Sequence, residues 1–164
     1  MKNKFRIILF LILTMLFASC NVFSPDYEMF ENIYSPDNNK TIDGLMRNFV
    51  YSYTFKDSFL YNEILDDDFV FQYENEGVFG SWTKEEDVII TNRMFRSFTK
   101  IDLVFNTEFP QHTSMPDTTV FTSFRISFYS GEEVINLTGY SKFIFRKYSE
   151  KDTIYKMIFW EDLK

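Results

Sequence analysis

The chain has 164 residues, 45% of them hydrophobic and 20% aromatic, with 21 Phe and 10 Tyr against only five Gly and four Pro. So many rings and so few chain-breakers exclude a disordered chain and call for strands around a large aromatic interior. The net charge is −7, and an acidic surface offers no electrostatic route to nucleic acid or to anionic lipid headgroups.

The first twenty residues read as charge, apolar run and cut site. Lys2, Lys4 and Arg6 form a basic stretch, and no acid precedes Asp26. Ile7 to Phe17 is apolar except for Thr14, a run of 11 residues. A spanning helix needs about 20, so this length fits the hydrophobic region of an export signal. Ala18 and Ser19 follow, then Cys20, the one cysteine of the chain. Phe17-Ala-Ser-Cys20 resembles the lipobox of bacterial lipoproteins, with Phe17 where leucine is usual. The alternatives are an ordinary signal with an incidental cysteine, or a buried free thiol, and a lone cysteine makes no intramolecular disulfide. The lipobox resemblance implies palmitate-type acylation of Cys20, and two or more acyl chains anchor stably where one does not. Asn21 in place of aspartate points to the outer membrane of the cell envelope, facing the periplasm.

Removing residues 1–19 leaves 145 residues, a natural size for one domain. The signal holds three of the 17 basic residues and none of the 24 acidic ones, so the remainder carries 14 against 24, a net −10. The expected organisation is a signal peptide at 1–19, a lipidated Cys20 with its tether at 20–35, and one domain at 36–164.

Two Ser-Pro-Asp tripeptides, at Ser24 and Ser35, each offer an N-cap and a first-turn proline. The first predicts a short helix through Ile33. From Thr41, Ile42, Leu45, Met46, Phe49, Val50 and Tyr53 follow helical spacing. A second helix fits Ser58 to Leu65, ended by Asp66-Asp67-Asp68, and Phe69 to Tyr73 is a strand. Glu74 to Ser81 reads as a loop with two of the five glycines. Thr83-Lys-Glu-Glu86 is a capping box opening a third helix, with Ile90, Met94 and Phe98 as its expected buried edge. After Lys100 the period changes to two. Ile101, Leu103 and Phe105 alternate, as do Val120, Thr122, Phe124, Ile126 and Phe128. A turn at Ser130-Gly131 leads into a long strand at Val134–Lys147, with Ile135, Leu137, Phe143 and Phe145 on one face. Thr153–Trp160 is the last strand. Helices first and long antiparallel strands after predict an α+β fold: three helices packed on a strongly curved, mostly antiparallel sheet of four to six strands.

That order resembles the nuclear transport factor 2-like superfamily, the cystatin-like cone fold, and within it small bacterial lipoproteins. The likeness rests on the Ser35-Pro36 helix start, the Phe55-Lys-Asp-Ser58 joint and Ile64-Leu-Asp-Asp-Asp-Phe-Val-Phe71. It continues through Ser81-Trp82-Thr83, Arg93-Met94-Phe95 and the closing Tyr155 to Asp162. Many relatives have tryptophan where Tyr155 stands. The resemblance implies a cone that hosts isomerases, dehydratases, binding proteins and adaptors alike, so membership alone does not assign a function.

Candidate chemistry is sparse. His112, the single histidine, lies in a loop between Pro110 and Pro116, without the partner and pocket wall that a catalytic histidine needs. Histidine-cluster metal sites are excluded, and Asp66-Asp67-Asp68 lacks the alternating ligands and turn glycine of a calcium loop; no cofactor is expected. Asn136-Leu-Thr138 matches a glycosylation sequon, set aside in an exported bacterial chain. Enzymes of the superfamily use a carboxylate or histidine base in an apolar pocket with tyrosine or acid donors. Asp57, Tyr73, Asp87, Tyr140 and Asp162 are of the right type, but Asp57 reads as a helix cap and Asp87 as a first-turn acid. Tyr73, Trp82, Tyr140 and Trp160 are the expected pocket residues, with core anchoring as the plainer role for the tryptophans. The expectation is a non-enzymatic, lipid-anchored domain that holds a small apolar ligand or an envelope protein in its concave face, with a second copy in a homodimer also open. The alternatives are an isomerase or dehydratase acting on a hydrophobic substrate, and an interaction module whose cone is filled.

Overall fold

The computed structural model describes residues 39–163, apart from Glu76, Gln111, His112, Ser114 and 150–152. The expected export signal, Cys20, the expected tether with its short helix, the Ser35-Pro36 start and His112 lie outside the described residues.

Helix α1 spans Ile42–Phe55 and starts where Thr41, in extended backbone, accepts the Gly44 N–H on its hydroxyl. The expected apolar spacing becomes its buried face, with Ile42, Leu45, Met46, Phe49 and Tyr53 all covered. Lys56 ends it in the left-handed region, at φ 57°. The same Lys56 reaches across to donate from Nζ to the carbonyls of Phe98 and Thr99, at 3.1 and 3.2 Å. Asp57 then caps α2 (Ser58–Ile64), its carboxylate accepting the N–H groups of Phe59 and Leu60.

Strands β1 (Leu65–Asn75), β2 (Val78–Thr83), β3 (Lys100–Phe105), β4 (Asp117–Ser130), β5 (Glu133–Tyr148) and β6 (Ile154–Leu163) form one sheet in the order β2-β1-β6-β5-β4-β3. Every neighbouring pair is antiparallel except β1 with β6. Register shifts in the β1–β6 and β5–β6 pairs bend the sheet, and α1 lies across β3 and β6 while α3 (Lys84–Ser97) packs on β1 and β2. The fold is thus α+β, three helices on a six-stranded mixed and mostly antiparallel sheet.

Three local readings of the sequence are corrected. The stretch Glu74–Ser81 is not a loop: it closes a hairpin at Gly77 (φ 82°) and returns as β2. Glycine 80 stands in that strand because Tyr73 is its partner and lays its ring over the position; a Cβ there would sit 2.4 Å from the ring. Asp66 to Asp68 do not end a helix but open β1. Asp66 is buried there and accepts the Tyr148 hydroxyl, while Asp67 accepts from Lys84 Nζ at 2.9 Å. On α3, Ile90 is exposed and the buried row is Asp87, Thr91 and Phe95, because the neighbouring elements present hydroxyls and an indole N–H that need polar partners. The capping box itself forms, with Glu86 accepting the Thr83 N–H at 2.9 Å.

Candidate functional site

The inner face of the sheet carries Val120, Thr122, Phe124, Ile126 and Phe128 of β4 opposite Phe143, Ser141, Gly139, Leu137 and Ile135 of β5. Two rules decide how much of that face is covered. Alternation puts these side chains on one side, and the finite length of α1 and α3 then covers only part of them. At one end Phe143, Phe145, Tyr155 and Met157 are sealed against Ile42, Leu45 and Phe49. At the other end a cavity of about 370 Å³ remains between sheet and helices.

Phe49 and Tyr53 of α1 and Met94 of α3 form one wall. Leu103 and Phe105 of β3 and Phe124, Ile126 and Phe128 of β4 form the floor, with β5 contributing Leu137 to Tyr140. Strand β6 adds Trp160, Asp162 and Leu163. Gly139 leaves room here: a Cβ on it would come within 3.0 Å of the Phe124 ring. The volume and the apolar lining are those of a small-molecule pocket. Two larger hollows, of about 460 and 630 Å³, share Arg125 and are lined by polar groups such as Asn106, Ser123, Ser127 and Asn136.

Asp162 is the one charged side chain of the apolar cavity. It sits there because β6 continues three residues past the expected end at Trp160, pairing Asp162 with Ser141 on the inner face. Its Oδ1 accepts from Trp160 Nε1 at 2.8 Å and from Ser141 Oγ at 3.1 Å. Burial pushes its pKa above the usual carboxylate value, against the lowering effect of those two bonds, and the charge of Asp87 raises it further. Trp160 is itself wedged edge-on against Phe49 and Phe71, with ring centroids 5.5 and 4.8 Å away.

A second acid, this one buried, lies behind the cavity wall. Asp87 accepts from the Tyr61 hydroxyl at 2.5 Å and from Trp82 Nε1 at 2.6 Å, and its own pKa is raised by burial. Tyr53 connects the two places. Its ring lines the cavity, its hydroxyl meets Thr91 and Tyr61, and burial holds that hydroxyl well above the ordinary tyrosine pKa. Tyr61 is raised likewise, again chiefly by burial.

Of the four residues expected to line a pocket, Trp160 and Tyr140 border the cavity, Tyr140 at its exposed rim. Tyr73 and Trp82 lie elsewhere, stacked beside Phe71 on β1 and β2, with Phe71 and Trp82 centroids 4.7 Å apart. Asp57 is a helix cap. Among the described residues no group of three or more His, Cys, Asp or Glu could hold a metal ion. Missing from the sequence reading was the Tyr53–Tyr61–Asp87–Trp82 row. The signal for it was present: Asp87, Thr91 and Phe95 recur every four residues on α3, but a polar residue heading such a row reads as solvent-facing.

No family model and no curated protein matches the chain. Solved structures do. A conserved protein from Planctomyces limnophilus is 18% identical, with a TM-score of 0.60 over 74% of this chain and 91% of its own. A nuclear transport factor 2-like superfamily protein from Salmonella enterica serovar Typhimurium gives 12% identity and 0.58 over 74% and 87%. A Nostoc punctiforme protein with a cystatin-like fold gives 16% and 0.53 over 72% and 84%. At such identities the likeness is one of architecture, and with the helix order and sheet order above it fixes the fold: the chain has the nuclear transport factor 2-like, cystatin-like cone fold.

Proposed function

We propose that this domain binds a small, mostly apolar molecule inside the cone, and that the chain is exported and held at the cell envelope by a lipid on Cys20. The observation that carries the binding reading is the cavity of about 370 Å³, walled by aromatic and aliphatic side chains with a single half-buried acid. A surface of that kind, left open at one end, favours transfer of a hydrophobic guest out of water. It also leaves the filled-cone alternative without support. The binding experiment is titration with N-phenyl-1-naphthylamine, a neutral apolar fluorophore. Saturable one-to-one binding is expected, weakened about tenfold or more by Gly139→Leu, which places a side chain against Phe124. Equal binding by both proteins would overturn the reading.

The anchoring reading is supported by the order of basic residues, apolar run, small residues and cysteine in the first twenty positions. Palmitate labelling should mark the wild-type chain and not Cys20→Ser. An unlabelled, freely soluble wild type would refute it.

One observation favours a second reading, an isomerase- or dehydratase-type enzyme: a carboxylate with a raised pKa faces an apolar cavity. Such an acid could take a proton from carbon next to a carbonyl. Deuterium wash-in from heavy water into a bulky cyclic ketone, lost in Asp162→Asn, would support it. No exchange above the buffer rate would leave binding alone.

A further inference from the structure

The charge inventory of the cavity narrows the guest. Its walls hold one acid, Asp162, and no lysine, arginine or histidine. Arg125, the nearest base in sequence to the lining residues of β4, is of opposite parity to Phe124 and Ile126 and lines the polar grooves instead. A guest carrying a carboxylate, sulfate or phosphate would bring a second negative charge into a low-dielectric space with nothing to pair it, at a large cost. A guest with no polar group would leave Asp162 poorly used.

Asp162 is only half satisfied. Both of its bonds arrive at Oδ1, from Trp160 and Ser141, and Oδ2 receives none from the described residues. The acid is also held in place: Ser141 is fully buried, and the Trp160 N–H spans Asp162 and Ser141, at 2.8 and 3.1 Å. Asp162 is therefore a fixed acceptor in the cavity lining, with Oδ2 unpartnered among the described residues. The same cavity is lined by Trp160, Phe49 and Tyr53, with Tyr140 at its rim, rings whose negative faces attract a cation. An ammonium against Asp162 would gain a charge-assisted hydrogen bond and aromatic contact together.

Resting on the binding reading above, we infer that the guest is a hydrophobic amine, a compact apolar body whose ammonium is received by Oδ2 of Asp162 inside the aromatic-lined cavity. The amine supplies the positive charge that the cavity lacks, and the body fills the apolar remainder.

The test uses three molecules of one shape: 1-aminoadamantane, 1-adamantanol and 1-adamantanecarboxylate. Each competes with N-phenyl-1-naphthylamine on the full chain at neutral pH. The amine is expected to bind about tenfold tighter than the alcohol, and the carboxylate weakest of the three. In Asp162→Asn the amine should fall to the level of the alcohol while the alcohol is little changed. Asparagine keeps an oxygen for Ser141 and Trp160, and retained alcohol binding certifies the fold. If the fluorophore binds but the amine shows no advantage, or the carboxylate binds best, the amine assignment fails and the binding reading stands. If the fluorophore itself does not bind, both fall.

Discussion

Strand β5 is two strands in one. Its second half, Ser141 to Tyr148, buries Phe143 and Phe145 completely; its first half, Glu133 to Tyr140, leaves the equivalent inner-face residues Ile135 and Leu137 at 50% and 52% exposure. The alternation is identical on both sides of Gly139, and so is the pairing with β4. What differs is the cover. Helix α1 packs on the second half, Phe49 against Phe143, and β6 pairs beside it from Tyr140 to Tyr148; before Tyr140 the first half has no β6 alongside. Periodicity therefore decides which face a residue joins, and the reach of the opposing layer decides whether that face becomes core or cavity.

The largest test of that contrast is a pair of truncations. Phe143→Ala removes a fully buried ring from the closed end and should cost about 3–5 kcal/mol. Leu137→Ala, at the open end, should cost about 1 kcal/mol or less, since half of that side chain already meets water. Urea denaturation midpoints measure both. Comparable losses would mean that the open end is packed as tightly as the closed one.

Next in size is Asp87→Ala, which strips the acceptor from Tyr61 and Trp82. One buried and one partly buried donor would lose their partner, for a loss of about 2–3 kcal/mol, reduced by the relief of taking a buried acid away. Asp87→Asn should cost less, because its carbonyl still accepts one of the two bonds. An alanine variant as stable as wild type would show that the row is not structural.

A smaller effect comes with pH. Burial keeps Asp87 and Asp162 protonated to higher pH in the folded chain than in the unfolded one. Between the ordinary carboxylate range and those raised values the folded chain binds more protons. The stability that these acids contribute is thus complete at the acidic side of that window and is lost as pH rises through it. The stability of wild type minus that of Asp162→Asn should therefore decline from pH 4 to pH 8. A difference that grows with pH would mean that Asp162 is stabilised as a carboxylate.

The smallest is Lys56→Met. It removes the Nζ donor from the carbonyls of Phe98 and Thr99 while keeping most of the stem, and should cost less than about 1 kcal/mol. A larger loss would mean that the joint between α1 and the end of α3 matters more than its exposure suggests.

Much of the fold was legible because the elements advertise themselves. The α1 spacing, the capping box at Thr83 and the two long alternating runs each state a local geometry without help from the rest of the chain. Strand β2 was not legible, since Gly80 looks like a loop residue until Tyr73 is seen lying over it. The site was legible only in part. Trp160 and Tyr140 could be proposed from residue type, but Asp162 required knowing that β6 runs on past Trp160 and faces Ser141. Asp87 required knowing that two donors from other elements converge on α3, a tertiary fact with no local signature.

The two tryptophans give the molecule a pair of internal reporters. Each indole N–H is tied to a different acid, Trp160 to the half-buried Asp162 at the cavity and Trp82 to the buried Asp87 behind its wall. Emission from Trp160 reads the polarity of the hollow directly, whereas Trp82 stands behind the wall and is reached only indirectly, through Tyr53 and Tyr61 or through Phe71. With one tryptophan replaced by phenylalanine at a time, the same titration can be watched from two stations. A guest that only fills the hollow changes the colour at one of them, whereas a guest that shifts Tyr53 changes both.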